Sequence, residues 1–154
     1  MYRHIMAPLD GSQLAECVLP HAEAIAGGCS VPKVSLVRVV TPVRLYQGVE
    51  TRLSPDELRR VEADSEELAV SYLRNLVKGL KFKVSQVEYE VLKDEVAEQL
   101  VNFAANHEVD LIIISTHGRS GVSRWVWGSV ADRILRSASV PVLMVRAPGC
   151  PRPS

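Results

Sequence analysis

The residues with the clearest capacity for chemistry are Ser115-Thr116-His117-Gly118, followed after nine residues by Gly128-Ser129. The apolar run Leu111-Ile112-Ile113-Ile114 leads in, and a helical pattern beginning near Val130 leads out. A strand that ends in a glycine-bearing loop and then opens a helix suits a phosphate. Glycine lets the backbone approach closely, while unpaired N–H groups and the helix dipole favour negative charge. The pattern therefore points to a nucleotide. His117 could touch ribose or phosphate, or could simply fix the loop; as a general base it has no visible orienting partner. Arg119 and Arg124 could neutralise phosphates or serve as solvated loop charge. Trp125 and Trp127 alternate with Val126, which suits packing against the domain or a partner better than a lid. Ser129 with Asp132 also reads as a helix N-cap arrangement, and a cap hydroxyl can still turn to a phosphate.

A second polar strand end stands near the start of the chain, Ala7-Pro8-Leu9-Asp10-Gly11-Ser12. Asp10 could accept a hydrogen bond from an adenine amino group or a ribose hydroxyl. Its alternative role is a turn or cap carboxylate before Ser12. In open α/β sheets ligands sit beyond the carboxyl ends of the strands, where the strand order reverses. If these two strands are neighbours, both loops meet there.

The elements that must position these residues alternate from end to end, which argues for an α/β domain with a mostly parallel sheet. A strand is expected at about 2–8, then a helix with Leu14, Val18, Ala22 and Ile25 on one face. Pro20 should kink that helix and Gly27-Gly28 should stop it. The second strand is expected at about 33–40, and residues 41–53 form the one long connection. Ser54-Pro55-Asp56-Glu57 opens the longest helix with a capping box, and Leu58, Val61, Leu68, Tyr72 and Leu76 mark its expected buried face. A third strand at about 82–91 precedes a helix beginning at Asp94 that carries Val96, Leu100 and Phe103. The fourth strand is 109–115, the last helix about 129–138, and the last strand Pro141 to Val145. The sum is five strands and four helices in one domain, residues 1–146, with a flexible tail over 147–154.

Composition narrows the partners. Eighteen basic and eighteen acidic residues leave no net charge, so a nucleic-acid footprint is not expected. No apolar run approaches the roughly 20 residues of a membrane span. The segment from Met1 to Met6 runs straight into strand-like sequence with no room for a secretory core, so a cytoplasmic setting is expected. Cys17, Cys29 and Cys150 are odd in number and lack metal-ligand spacing, so neither a zinc site nor a disulfide framework is expected.

Pro8-Leu9-Asp10-Gly11-Ser12, the segment from Ser115 through Gly128-Ser129, and the ending Val140-Pro141-Val142-Leu143-Met144-Val145 together resemble the universal stress protein family, over about residues 1–146. The resemblance implies a Rossmann-like fold of the adenine nucleotide alpha hydrolase type. It would be an open, twisted, five-stranded parallel sheet in the order 3-2-1-4-5, with helices on both faces. The family's nucleotide-binding branch carries Gly-x-x-Gly, nine residues, then Gly-Ser or Gly-Thr; here the spacing is kept and the first glycine is Ser115. Carried over by position, the resemblance implies adenine near Asp10 and the backbone of Val39 and ribose near Pro8 and Ser115, with Leu9 also among the binding residues. It implies phosphates at His117, Gly118, Gly128, Ser129 and Val130, with Arg119 also among the binding residues. The implied ligand is ATP, or ADP, AMP or cyclic AMP, with Mg2+ accompanying ATP. The implied role is stress-response regulation by a homodimer joined through Val142–Val145; an apolar edge strand independently calls for such cover. The alternatives are a slow ATPase or autophosphorylating enzyme and a nucleotide-free dimeric interaction module. The sequence lacks the GxxxxGK[ST] loop of fast nucleotide hydrolases, and no catalytic residue is assigned.

Overall fold

Short runs of apolar, β-branched residues without intervening charge suit strands covered on both faces. Ile5-Met6-Ala7 and Leu111-Ile112-Ile113-Ile114 are of this kind, and they form two adjacent interior strands of a computed structural model that describes residues 1–42, 54–82, 86–116 and 128–146. The strands are β1 (His4–Pro8), β2 (Lys33–Val40), β3 (Gln86–Lys93), β4 (Leu111–Ser115) and β5 (Val142–Val145). All pair in parallel, in the order β3-β2-β1-β4-β5. The helices are α1 (Gln13–Glu16), α2 (Leu19–Gly28), α3 (Pro55–Gly79), α4 (Val96–Asn106) and α5 (Ser129–Ser137).

Alternation along the strands divides the core in two. Ile5, Ala7, Val34, Leu36, Leu111 and Ile113 pack with Ala15, Val18, Ala22 and Leu73, so α1, α2 and α3 cover one face. Met6, Val37, Ile112 and Ile114 pack with Leu100, Phe103, Ala131 and Ile134, so α4 and α5 cover the other. Each fully buried side chain of this size contributes about 1.5–3 kcal/mol.

Four local expectations are corrected. Pro20 does not kink one helix; the chain breaks between α1 and α2, and Pro20 falls in the first turn of α2, where a missing N–H costs nothing. Val18 and Ala22 are buried as expected, but Leu14 and Ile25 are only half-buried, and Ala15, Leu19 and Ala26 complete the buried face. The helix expected from Asp94 begins at Val96, because Asp94 is a turn residue with φ 108° whose N–H reaches the Val40 carbonyl at 3.2 Å. In α3 the capping box is present, with Glu57 N–H donating to Ser54 Oγ at 3.3 Å and Ser54 N–H to Glu57 Oε2 at 2.6 Å. Its buried side, however, is set by Ala69 and Leu73, flanked by half-buried Tyr72 and Leu76. Leu68 is 69% exposed and Val61 41% exposed. Leu68 stands about 100° around the helix from Ala69, which turns it off the sheet. The strand starts also shift inward: β3 begins at Gln86 rather than 82, β4 at Leu111 and β5 at Val142. Most of the long connection, 43–53, and the expected tail lie outside the described residues.

The revised α3 face gives a direct test by chemical denaturation. Leu73→Ala is expected to cost about 2–5 kcal/mol through the cavity it leaves. Leu68→Ala should stay within about 0.5 kcal/mol of the parent; equal losses at both positions would contradict this packing.

Candidate functional site

The chain leaves β1 toward the α1 face and leaves β4 toward the α5 face, and β1 and β4 are neighbours with Ile5 beside Leu111 and Met6 beside Ile112. Connections that depart in opposite directions from adjacent parallel strands open a crevice at their carboxyl ends. A pocket of about 270 Å³ occupies this place. It falls just below the roughly 300–1,000 Å³ typical of ligand clefts. Pro8, Leu9 and Asp10 line it from β1, Val39 from β2, Ser115 from β4, and Gly128, Ser129 and Val130 from the start of α5. These are the expected positions, brought together from four separate stretches. His117, Gly118 and Arg119, with Arg124, Trp125 and Trp127, lie outside the described residues.

Sequence reasoning missed the apolar wall. Val37, Ile114, Val96, Leu100 and Ala131 also line the pocket, with Ala15 and Thr116 at its margin. Two-residue alternation puts Val37 on the same face as Val39, so that member could have been found from the strand pattern alone. Val96 and Leu100 come from α4, whose approach to β2 is a tertiary fact.

The Asp10 turn is built from its neighbours. Ser12 donates to Asp10 Oδ1 from its N–H at 2.9 Å and from its hydroxyl at 2.6 Å. Ser12 Oγ in turn accepts the Ala15 N–H at 3.2 Å and caps α1. The turn role of Asp10 is therefore realised, and the same turn sets it at the pocket rim. Gly11 has φ +86°, a left-handed conformation that calls for glycine, and a Cβ there would stand 3.0 Å from Arg38 Nη1. The Arg38 guanidinium lies over the Tyr72 ring, 5.3 Å from its centre, and the Tyr72 hydroxyl donates to Glu16 Oε1 at 2.8 Å. Burial first, and then the bond to Glu16, pushes the Tyr72 phenol far above its ordinary range. Tyr72 is thus a fixed donor behind the turn.

On the other side, Thr116 N–H donates to the Val145 carbonyl at 2.9 Å, extending the β4–β5 ladder by one residue. The Thr116 carbonyl accepts the Gly128 N–H at 2.8 Å and pins the start of α5 to the end of β4. Here the expected cap is corrected. Gly128, not Ser129, is the N-cap residue; it makes no side-chain cap bond, and Asp132 bonds instead to Arg136 Nε at 3.0 Å. Ser129, Val130 and Ala131 are the first three helical residues, whose N–H groups have no carbonyl within the helix to meet. That end of α5 carries the positive pole of its dipole.

Ser115 is buried and follows Leu111 and Ile113 toward the α1 face, where its Oγ accepts from the Cys17 thiol at 3.6 Å. Its hydroxymethyl group is held toward α1 rather than toward the wall formed by Ile114 and α4. Cys17 and Cys29 are free thiols. Among the described residues, no group of three His, Cys, Asp or Glu side chains is placed to hold a metal ion, and no helix is long and apolar enough to cross a membrane.

The model of the Universal stress protein family matches residues 1–146. A curated relative, Universal stress protein MJ0531 of Methanocaldococcus jannaschii, is 27% identical over 148 residues, covering 96% of this chain and 84% of the relative. Universal stress protein UspA from Lactobacillus plantarum has the same fold, with a TM-score of 0.82 at 20% identity, over 94% of this chain and 98% of that one. A universal stress protein family protein from Arabidopsis thaliana, solved with AMP bound, superposes with a TM-score of 0.61 at 14% identity, over 96% of this chain and 93% of that one. With strand order, crevice and family match in agreement, the chain belongs to the universal stress protein family.

Proposed function

We propose that this chain binds an adenine nucleotide, ATP foremost, in the crevice between β1 and β4, and acts in the cytoplasm as a stress-response regulator through occupancy rather than turnover. The observation that carries this reading is the convergence of the Asp10 turn, the apolar wall and the α5 N-terminus on one pocket. The wall of Val37, Val39, Ile114 and Leu100 suits a flat base. Asp10 and the Val39 backbone would meet adenine, and Pro8 and Ser115 the ribose. The α5 start at Gly128, Ser129 and Val130 would take the phosphates, with His117, Gly118 and Arg119 as further binding residues. The AMP bound by the Arabidopsis relative supports the ligand class. Mg2+ would arrive with ATP, carried by its phosphates. The open edge of the sheet at β5, where Leu143 is 36% exposed, supports a homodimer paired through Val142–Val145.

Thermal melts with millimolar ATP, ADP, AMP and cyclic AMP test the ligand. At about a thousand times the dissociation constant the folded state gains roughly 4 kcal/mol, and a melt unmoved by all four would sink the proposal. Steady phosphate release above a mock purification, abolished by Gly118→Val, would move the reading to a slow ATPase.

Gly128→Asp separates phosphate binding from folding. Aspartate is a good N-cap, so the unliganded melting temperature should hold or rise. ATP affinity should nonetheless fall at least about tenfold, equivalent to ~1.4 kcal/mol, from the carboxylate placed at the phosphate position. Adenosine affinity should change little.

For the dimer, Leu143→Lys is expected to shift the particle from dimer to monomer in light scattering, since charge on an edge strand blocks strand pairing. A parent chain that is already monomeric at micromolar concentration would remove this part of the proposal.

A further inference from the structure

The opposite end of the sheet holds a buried titratable group unrelated to the crevice. His4, at the start of β1, is 5% exposed. Its Nδ1 lies 2.8 Å from the His107 carbonyl oxygen and its Nε2 lies 2.7 Å from Ser35 Oγ on β2. Ser35 Oγ in turn lies 2.8 Å from Glu88 Oε1 on β3. A carbonyl only accepts, so Nδ1 must carry a proton. That leaves one hydroxyl proton at Ser35 for two acceptors, the Nε2 of a neutral imidazole and the Glu88 carboxylate. Glu88 has other donors, Lys33 Nζ at 2.6 Å on Oε1 and Gln86 Nε2 at 3.1 Å on Oε2. It can therefore release the hydroxyl to His4. When His4 is protonated, Nε2–H donates to Ser35 and Ser35 donates to Glu88, and every contact is satisfied in one direction.

We infer that His4, Ser35 and Glu88 form a proton-operated relay across β1, β2 and β3, in which the Ser35 hydroxyl donates to His4 when the ring is neutral and to Glu88 when the ring is charged. The ladder supports the alignment: Ser35 is the register partner of both Met6 and Glu88, and Lys33 that of His4. Protons have a route in, because His4 lines a cleft of about 500 Å³ with Arg3, Lys33, Gln86, His107 and Glu108. The charges facing the ring are Lys33 from β2, Glu88 from β3, and Asp110 from the entry to β4, whose carboxylate takes the N–H groups of Arg3 and His4 at 2.7 and 3.1 Å. Arg3 and Glu108 complete the rim.

Burial holds the imidazole below its ordinary value, and Lys33 adds to that; the His107 carbonyl, Glu88 and Asp110 oppose it. Burial also pushes the Glu88 carboxyl up, but the bonds from Lys33 and Ser35 and the Lys33 charge outweigh it and hold Glu88 below its ordinary value. The sign of the linkage follows. The folded chain binds the His4 proton less tightly than the unfolded chain, so His4's contribution to stability is complete above its ordinary pKa of about 6.5 and declines as pH falls through that region. Glu88's contribution is complete above its ordinary value of about 4.3 and is lost in more acidic solution.

Nitrogen-detected NMR of the full chain, with the His4 ring assigned, tests the relay. The neutral ring should be the Nδ1–H tautomer, titrating below its ordinary value. Ser35→Ala and Glu88→Gln should each lower that midpoint by roughly one pH unit further, whereas Lys33→Met should raise it. An Nε2–H tautomer in the parent overturns the relay, and that reading stands even if a variant fails to fold. A His4 midpoint unmoved in both Ser35→Ala and Glu88→Gln overturns it equally.

Discussion

The crevice exists because β1 and β4 lie side by side and neither has a free edge. Their register, Ile5 with Leu111 and Met6 with Ile112, carries on to bring Pro8 level with Ile114 and Leu9 level with Ser115. Both strands are buried along their whole length, so a slip by one residue would exchange the two apolar faces. This pairing is what sets the Asp10 turn and the α5 start opposite one another. They share no sequence neighbourhood and belong to helical layers on different sides of the sheet. Main-chain bonds extend the alignment past the strands, from Leu9 N–H to the Val37 carbonyl at 2.8 Å and from Thr116 N–H to the Val145 carbonyl.

Much of this was legible in the sequence because the signals are local. A four-residue aliphatic run between polar turns can hardly be anything but an interior strand, and Ser54 with Glu57 announces its helix by capping chemistry. Strand order is different. Alternation shows that the sheet is parallel, while the order 3-2-1-4-5 came from family resemblance and is now seen directly. The failures share a cause. Leu68 and Val61 follow helical spacing as well as Leu73 does, yet which side of a long helix meets the sheet depends on its tertiary approach. Ser129 looked like a cap from its type, but Gly128 is the cap residue and Ser129 is the first residue of the helix. The apolar wall from α4 was invisible for the same reason.

The two ends of the sheet use polar groups differently. At the carboxyl end, Asp10 and the α5 N-terminus line a pocket, and Ser12 holds Asp10 in its turn. At the amino end, His4, Ser35, Glu88 and Lys33 satisfy one another, and no described buried side-chain polar atom there lacks a partner. Buried polar groups in a sheet interior are costly unless bonded. Ser35 is fully buried on the middle of three consecutive strands, so its hydroxyl ties β1 and β3 to β2 through side chains as well as through the ladder.

The bond between the Gly128 N–H and the Thr116 carbonyl joins the start of α5 directly to the end of β4. The entropy of closing a chain segment depends only weakly on its length, with each doubling costing about 0.6 kcal/mol. The height of α5 above β4 is therefore set by this one main-chain contact rather than by the number of residues between them.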